Sequence, residues 1–267
     1  MINVAVFGSA GRMGQAILRA SQRNPDIRIV AAIEVAQCTA LGVDAGIHAG
    51  IGDIGVAIDA DPIRALKAAD VAIDFSAPAA TAEYARLAAE CRKALVIGTT
   101  GLNDNQSAIV RAAARTIPVV WAANMSLGMN LLFSLVRQAG RILKQYDIEI
   151  IETHHRHKKD SPSGSALRLA EAAAEGAGLD LKTSAVYGRE GLVGERPNTQ
   201  IGIHAIRGGD VVGDHTVLFA EDGERVELTH KASNRECFAM GALKAAIWIC
   251  SQPAGLYSMR DVLGLKD

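Results

Sequence analysis

One stretch decides the fold: Val4-Ala5-Val6-Phe7-Gly8-Ser9-Ala10-Gly11-Arg12-Met13-Gly14. It begins with a short apolar run, continues with three glycines spaced GxxGxxG, and leads into a helical pattern. Glycine lets the backbone approach a pyrophosphate, and the first turn of the following helix offers unpaired N–H groups to its oxygens. The order of strand, glycine turn and helix therefore predicts a dinucleotide site. The residues expected to contact the cofactor here are Gly8, Ser9, Ala10, Gly11, Arg12 and Met13.

The same alternation continues to about residue 125. Short β-branched runs alternate with alanine-rich helical stretches, which predicts a Rossmann-like parallel sheet wrapped by helices. The predicted strands are Val4–Phe7, Arg28–Ile33, Val71–Phe75, Leu95–Ile97 and Val119–Trp121. The predicted helices are Met13–Arg23, Ala79–Cys91 and Asn103–Arg115.

The pattern changes after Asn124. A long amphipathic helix, Leu131–Gln145, leads to a strand, a basic loop and a second helix. Three later strands with glycine-rich turns, for which antiparallel pairing is expected, lie around Thr199–Ile206, Val211–Ala220 and Glu224–Lys231. The closing helix Phe238–Ile249, with no strand of its own, is expected to pack on the first domain. We therefore predict an α/β protein with a dinucleotide-binding domain at 1–125, joined by 236–267, and a smaller α+β domain with a mostly antiparallel sheet at 126–235.

An acidic residue strengthens the dinucleotide prediction. Glu34 follows the second strand, 20 residues after Gly14 (34 − 14), where a carboxylate accepts hydrogen bonds from the adenosine ribose. The next residue is Val35, so no adjacent cation neutralises a 2′-phosphate. We therefore expect NADH to be preferred, with NADPH partly accepted through Arg12.

Two further loops follow predicted strands, at the carboxyl edge of the sheet where such folds hold ligands. They are Gly98-Thr99-Thr100-Gly101 and Ala122-Ala123-Asn124-Met125. Each is either an ordinary turn or a contact for the nicotinamide end of the cofactor. The amide of Asn124 can donate or accept a hydrogen bond.

The loop Glu152-Thr153-His154-His155-Arg156-His157-Lys158-Lys159-Asp160 concentrates three of the seven histidines with three fixed cations. It is a solvated loop, a metal site or an anion-binding catalytic loop. The cations oppose a divalent metal, and no cysteine completes a tetrahedral set. Cations that hold carboxylates beside a histidine that moves a proton are the favoured interpretation.

The residues directly after this loop support an anion site. Ser161 is predicted to cap the next helix and Pro162 to occupy its first position. The N–H groups of Gly164 and Ser165 would then bind one carboxylate, while Lys158 and a histidine bind another. A small dicarboxylate is the expected substrate.

Hydride transfer explains why a dinucleotide site and a histidine loop occur in one chain. Delivery of hydride to a C=N group builds negative charge that a proton donor quenches. The relative geometry of His154 and Lys158 stays open, because the segment is either helical or extended.

The whole-chain totals exclude several classes of protein. The formal net charge of −1 gives no attraction for nucleic acid or an anionic membrane. Apolar stretches stop short of the roughly 20 residues that a membrane span needs. The four scattered cysteines suit neither a disulfide framework nor a zinc site. The first residues carry no basic leader, so we expect a cytoplasmic protein without a metal.

Over nearly its whole length the chain resembles the dihydrodipicolinate reductase family. The segments that carry the resemblance are residues 152–165, 8–14 and 98–101. The resemblance implies reduction of the cyclic imine formed from 4-hydroxy-tetrahydrodipicolinate, in diaminopimelate and lysine biosynthesis. It further implies a homotetramer assembled through the second domain, which would therefore serve substrate binding and oligomerisation.

The resemblance also implies site residues. His154 is similar to the family's proton donor and Lys158 to a second catalytic group, while His155, Gly164 and Ser165 are similar to its substrate contacts. The cofactor contacts it implies are Gly8 to Met13, Glu34, Gly98, Thr99, Thr100, Ala122, Ala123, Asn124 and Met125. The chain departs from the family at Val35, where arginine is frequent, and at Ser165, where threonine is frequent.

Two other functions compete with this interpretation. A related dehydrogenase of an amino or keto dicarboxylate would share the first domain but has no use for this histidine loop. A non-catalytic NAD(H)-sensing protein would need the glycine turn alone, and no DNA-reading motif supports it.

Overall fold

The structure, a computed structural model, describes residues 1–265. They form two compact units. Of the described residues, the first unit comprises 1–127 and 235–265, and the second comprises 128–234.

In chain order the elements are β1 (Ile2–Phe7), α1 (Arg12–Ser21), β2 (Ile27–Ile33), α2 (Ala45–Ala49), β3 (Ile58–Asp59), α3 (Pro62–Ala68), β4 (Val71–Asp74), α4 (Pro78–Cys91), β5 (Ala94–Ile97), α5 (Asp104–Ala113), β6 (Pro118–Trp121), α6 (Leu127–Ile142), β7 (Asp147–His154), α7 (Gly164–Ala177), α8 (Leu181–Ser184), β8 (Ala185–Tyr187), β9 (Ile201–Arg207), β10 (Gly213–Glu221), β11 (Glu224–Ala232), α9 (Glu236–Ile249), β12 (Gly255–Tyr257) and α10 (Met259–Leu263).

The first unit is built on a seven-stranded parallel sheet with the order β12-β6-β5-β4-β1-β2-β3. Its central strands β4 and β5 are buried at every position, as expected for parallel strands covered on both faces. The parallel sheet predicted from the sequence is confirmed. The predicted strands and helices of this region are all present, with ends that differ by one or two residues.

The sequence does not predict the two edge strands of this sheet. β3 has two residues and β12 has three, which is too short for a hydrophobic period to be recognised. Because β12 follows α9 and pairs with β6, the prediction that the closing helix has no strand of its own is wrong. The helix α9 packs against α1 as predicted and buries Leu243 and Ile249 completely.

The second unit contains a five-stranded sheet with the order β11-β10-β7-β9-β8. β10 is antiparallel to β11, as predicted, and it is also antiparallel to β7. β9, however, is parallel to β7 and β8, so the sheet is mixed and the antiparallel prediction for this strand is wrong. The physical reason is that residues 208–212 do not form a hairpin turn. They pass across the end of β7, where the Gly208 N–H donates to the His154 carbonyl oxygen at 2.9 Å.

Two helices of the second unit, α6 and α7, bury apolar side chains against one face of this sheet. They approach each other closely at glycines: a Cβ at Gly176 would lie 2.3 Å from the carbonyl oxygen of Arg137. The alanine-rich side of α7, including Ala172 and Ala173, is fully buried. This packing fixes the start of α7 beside the carboxyl end of β7. Within residues 1–265, no helix has both the length and the apolar character needed to cross a membrane.

Candidate active site

The glycine turn of the first unit needs glycine for two different reasons. Gly8 has φ +75°, and a Cβ there would lie 2.5 Å from the carbonyl oxygen of Phe75. A Cβ at Gly14 would lie 2.2 Å from the carbonyl oxygen of Gly8. Glycine is therefore required at position 8 for its backbone angle, and at position 14 for close packing of the turn against the helix. Ser9 lies beneath the turn, where its buried hydroxyl donates to the Ile33 carbonyl oxygen at 3.2 Å.

The first turn of α1 opens directly behind these glycines. Gly11 is its N-cap, and no side chain caps it. In residues 1–265 the backbone N–H groups of Arg12 and Met13 meet no hydrogen-bond acceptor. Uncapped N–H groups, the helix dipole and the missing side chains of the glycines together fit a pyrophosphate. A second cation stands nearby, since burial and the charge of Arg12 lower the pKa of Arg235.

Glu34 is held against the same turn. Its Oε1 accepts the Ala10 N–H at 2.9 Å, while Gln15 Nε2 donates to the Ala10 carbonyl oxygen at 2.8 Å. The Ala10 peptide is thus fixed on both sides, and the carboxylate is kept beside the turn. The neighbouring Val35 is 52% exposed and brings no positive charge. Sequence reasoning identified the acid but not its contact with the turn.

A buried carboxyl group joins the loops at the carboxyl edge of the parallel sheet. Asp74, at the end of β4, is fully buried. It accepts hydrogen bonds from the hydroxyls of Ser76 at 2.5 Å, Thr81 at 2.5 Å and Thr99 at 3.3 Å, and from the Ser76 N–H at 3.0 Å. Burial raises the pKa of Asp74 more than these donors lower it. This group was not predicted, although a polar residue that ends an apolar strand is a usable signal.

The two predicted nicotinamide-side loops present mainly backbone. The Thr99 hydroxyl is used by Asp74, and Gly98 packs so tightly on the Phe75 ring that a Cβ would lie 2.2 Å from it. The side chain of Met125 is 1% exposed and belongs to the core. The remaining loop residues are exposed or half-buried, namely Thr100, Ala122, Ala123 and Asn124. Thr99 and Met125 can therefore meet a ligand only through their backbone atoms.

In the second unit, a buried ion cluster closes the end of β7. Glu152 is fully buried and accepts two hydrogen bonds from the Arg207 guanidinium, both at 2.8 Å. The Ser163 N–H donates to the same carboxylate at 3.0 Å, and His154 Nδ1 lies 2.5 Å from its Oε2. Burial alone would raise the pKa of Glu152, but Arg207, His154 and Ser163 together lower it below the usual value.

His154 is 8% exposed and belongs to β7, not to a loop. The strand β7 ends at His154 and no helix covers the residues that follow, so His154 and Lys158 share no helix face. Burial lowers the pKa of His154, and the charges of Lys158 and Arg207 lower it further, although Glu152 opposes them. The free imidazole is thus mainly neutral near pH 7 and gains a proton when negative charge approaches.

A second histidine, His215, lies edge-on to His154 with ring centroids 5.1 Å apart. Its Nε2 lies 3.1 Å from the Ser163 hydroxyl, which also accepts the Ala166 N–H. The tautomer of His215 decides which of the two atoms, Oγ or Nε2, donates the hydrogen. His215 Nδ1 is buried and without a partner within the described chain. Burial, followed by the charge of His154, lowers the pKa of His215 to about 4.

The residues after β7 form a loop of mixed charge. Lys158 Nζ lies 2.9 Å from both carboxylate oxygens of Asp160, whose pKa this contact lowers. Arg207 also donates to the Asp160 carbonyl oxygen at 2.8 Å, which ties the loop to the Glu152 cluster. His155 is fixed through its N–H to Val211, while its buried Nδ1 has no partner among residues 1–265. The loop thus keeps polar atoms available for a ligand.

The start of α7 differs from the prediction. Ser163, not Ser161, is the N-cap, and its hydroxyl accepts the Ala166 N–H at 3.1 Å. Pro162 precedes the cap because the Ser163 N–H is bound to Glu152, which sets the helix start later than predicted. Gly164 and Ser165 are consequently the first two helical residues, as the anion hypothesis requires. A Cβ at Gly164 would have no neighbour within 4 Å, so the space beside its Cα is open.

The structure brings His154, Lys158, His155, Gly164 and Ser165 into one region of the second unit. Within residues 1–265 no group of three or more metal-ligating side chains is found. Four participants were not predicted, namely Glu152, Arg207, Ser163 and His215. Only Glu152 left a signal, because residues two apart on a strand face the same side.

Comparison with known proteins matches both units. Models for dihydrodipicolinate reductase cover residues 2–125 for its N-terminus and 128–263 for its C-terminus. A 4-hydroxy-tetrahydrodipicolinate reductase from Anaeromyxobacter dehalogenans is 50% identical over 267 residues, 100% of this chain and 99% of the relative. Another from Halorhodospira halophila is 51% identical over 265 residues, 99% of each.

Solved structures agree with this match. A dipicolinate-bound dihydrodipicolinate reductase from Paenisporosarcina sp. TG-14 has a TM-score of 0.75 and 25% identity over 97% of each chain. A probable dehydrogenase from Thermotoga maritima shares the fold, with a TM-score of 0.63 and 12% identity over 98% of this chain and 92% of its own.

Proposed function

The chain belongs to the dihydrodipicolinate reductase family, and we propose that it transfers a hydride from NADH or NADPH to the cyclic imine formed from 4-hydroxy-tetrahydrodipicolinate. The product is tetrahydrodipicolinate, in the diaminopimelate and lysine pathway. The observation that carries this function is the identity of about 50% over the full chain with relatives of that name. The two alternatives, a dehydrogenase of another dicarboxylate and an NAD(H) sensor, have no comparable support.

The first unit holds the cofactor in this proposal. The nicotinamide ring, when bound, supplies the hydride. The N–H groups of Arg12 and Met13 bind the pyrophosphate, and Glu34 accepts hydrogen bonds from the adenosine ribose. The backbone of the loops at Gly98 to Thr100 and Ala122 to Met125 orients the nicotinamide end.

NADH is the preferred coenzyme in this proposal. The Ala10 N–H keeps the Glu34 carboxylate beside the turn, so a 2′-phosphate would meet a fixed negative charge. Arg12 and Arg235 repel each other nearby and supply positive charge that partly offsets this repulsion. We therefore expect a bias toward NADH without exclusion of NADPH.

The second unit holds the dicarboxylate substrate. The N–H groups of Gly164 and Ser165 bind one carboxylate at the start of α7. His155 and Lys158 bind the other, with Lys158 leaving its contact with Asp160 to do so. A ligand of this class is already known from the Paenisporosarcina relative, which was solved with dipicolinate, a planar ring carrying two carboxylates.

His154 donates the proton in this proposal. Its Nδ1 is occupied by Glu152, while Nε2 has no partner in the described chain. Two substrate carboxylates raise the pKa of the imidazole on binding, so that His154 becomes protonated when the substrate is present. Lys158 supports the same step by stabilising the negative charge that develops as hydride arrives.

Assembly and location complete the proposal. The uncovered face of the five-stranded sheet carries Ile151 and Ile206, which are 37% and 50% exposed, and Leu192 on a nearby loop is fully exposed. Apolar groups of this kind support a homotetramer built through the second unit. The four cysteines are free thiols, which fits a reducing cytoplasm.

The test is an assay of nicotinamide absorbance with freshly synthesised substrate precursor and each coenzyme. Turnover with both, and a higher kcat/KM with NADH, is the expected result. The absence of turnover with either coenzyme would refute the function, and a kcat/KM at least tenfold higher with NADPH would refute the coenzyme preference.

A further inference from the structure

We propose that Glu152 is a positioning residue for His154: its carboxylate holds the imidazole with Nδ1–H turned inward, so that Nε2 is the nitrogen presented to the substrate. The proposal rests on the proposed function only in naming the substrate as the proton acceptor. The orientation of the ring depends on contacts within the second unit alone.

The carboxylate of Glu152 is held as an anion and therefore acts only as an acceptor. Arg207 supplies two charged donors at 2.8 Å, and the Ser163 N–H supplies a third at 3.0 Å. An ionised carboxylate has no hydrogen to give, so in the 2.5 Å contact with His154 the hydrogen must belong to Nδ1. Nε2 is then the nitrogen that gains and loses a proton.

The opposite edge of the imidazole faces a glycine. A Cβ at Gly213 would lie 3.0 Å from His154 Nε2, so a side chain at this position would press on the ring. Within residues 1–265 no protein group hydrogen-bonds to Nε2. One nitrogen is thus fixed by an ion and the other is left for chemistry, the arrangement by which a carboxylate orients a catalytic histidine in hydrolytic triads.

Arg207 connects the pair of Glu152 and His154 to the loop after β7. It neutralises Glu152, and it also donates to the Asp160 carbonyl oxygen at 2.8 Å. The same carboxylate therefore links the ring of His154, the N-cap of α7 and the loop that carries Lys158. Glu152 sets the relative positions of the proton donor and the anion site.

A purely structural role for Glu152 is the competing explanation, and the chain supplies a matched control. Glu149 lies three residues earlier on β7, so its side chain is on the opposite face of the sheet. It also binds basic side chains, with Arg189 at 2.8 and 3.0 Å, Arg196 at 2.8 Å and His204 at 2.7 Å. Glu149→Gln and Glu152→Gln therefore remove the same charge from the same strand and from similar clusters.

The first test needs no substrate and no variant beyond the one used for assignment. Nitrogen-15 NMR of histidine-labelled full-length protein reports which ring nitrogen carries hydrogen, and His154→Gln assigns the signal. We expect hydrogen on Nδ1 and a bare Nε2 at pH 8. Hydrogen on Nε2 with a bare Nδ1 would overturn the proposal, whether or not the protein reduces the proposed substrate.

The second test separates positioning from folding through the pH profile. Because His154 acts in its protonated form, kcat/KM falls as pH rises through its pKa, and loss of the Glu152 charge moves that fall to lower pH. Glu152→Gln should lower kcat roughly 10²-fold at pH 7.5 and shift the alkaline limb, with NADH affinity unchanged. Glu152→Asp keeps the charge, so its alkaline limb should fall at the same pH as that of the unchanged protein. Equal losses in Glu149→Gln at the same oligomeric state, or an unshifted limb, would contradict the proposal.

Discussion

Asp74 in the first unit and Glu152 in the second are both fully buried carboxyl groups near the ends of strands, yet their partners differ. Asp74 is surrounded by three hydroxyls and one backbone N–H, and burial raises its pKa. Burial acts on Glu152 in the same direction, but Arg207 and His154 outweigh it and the pKa falls. Neutral donors therefore leave the cost of burial uncompensated, whereas a bidentate guanidinium reverses it.

The difference between the two pKa values matches the role that we propose for each unit. In the proposed function, Asp74 holds the loop at Gly98 to Thr100, whose backbone meets the cofactor, a role in which no proton moves. Glu152 supports the histidine that exchanges a proton in the proposed function, so the strength of its charge would enter the chemistry directly. Removing charge should accordingly have large effects in the second unit and small effects in the first.

The largest effect is expected at Lys158. Lys158→Ala should lower kcat by roughly 10²-fold or more, because it removes a charge that stabilises the transition state, while NADH binding to the first unit stays unchanged. Steady-state kinetics and NADH fluorescence titration measure the two quantities. Lys144→Ala, a change of a lysine in the same unit that lies away from the loop after β7, is the control and should retain activity. Weakened NADH binding with a normal kcat would contradict the proposal that the first unit binds the cofactor and the second unit binds the substrate.

The next effect concerns stability against acid. His215 has a pKa of about 4 when folded and about 6.5 when unfolded, so below pH 6.5 the unfolded chain binds more protons and stability falls until about pH 4. Between pH 7 and pH 5 this costs about 2 kcal/mol. His215→Gln keeps an acceptor for the Ser163 hydroxyl but does not titrate. Urea unfolding at both pH values should show a smaller loss for the variant, and equal losses would contradict the burial argument.

A smaller effect is expected from adding charge to the first unit. Val35→Arg places a cation next to Glu34, where it can pair with a 2′-phosphate, and should shift the ratio of kcat/KM values toward NADPH by about tenfold. Val35→Ala is the control and should leave the ratio unchanged. Competition between coenzymes in one assay measures the shift. An unchanged ratio in Val35→Arg would mean that another group, such as Arg235, determines the preference.

The smallest effect is expected at Asp74. The hydroxyls around it accept as readily as they donate, and within the described chain no cation hydrogen-bonds to it, so Asp74→Asn leaves few groups unpaired. The free energy of unfolding should change by less than about 1 kcal/mol, and NADH affinity by less than about twofold. Thermal unfolding and NADH titration measure both. A loss comparable to that of Glu152→Gln would remove the contrast between the two carboxyl groups.

Much of the first unit could be predicted from sequence because its signals are local. The GxxGxxG turn, short apolar strands and alanine-rich helices each fall within a few residues, and the parallel sheet follows from their alternation. The two edge strands, of two and three residues, lie below the length at which a period exists. The sequence also does not show whether a predicted cofactor contact can act through its side chain. Met125 was predicted as such a contact, but its side chain is buried in the core.

In the second unit, local sequence patterns predict only part of the candidate site. His154, Lys158 and the helix start at Gly164 could be proposed as one site from sequence because they lie within a dozen residues of one another. Arg207 and His215 lie on strands that are distant from β7 in sequence, and only the strand order β10-β7-β9 brings them close to Glu152 in space. The predicted antiparallel β9 would have placed Arg207 at the opposite end of the sheet, which is why this cluster could not be found from sequence.

Deuterium transfer tests the proposed hydride transfer most directly. NADH deuterated at the transferred position of C4 is mixed with the full-length enzyme and freshly made precursor, and the product is analysed by mass spectrometry. One deuterium per oxidised NADH should appear on carbon of the dicarboxylate product. Coenzyme oxidation with all deuterium released to water, or none in the ring, would contradict direct hydride transfer to this substrate.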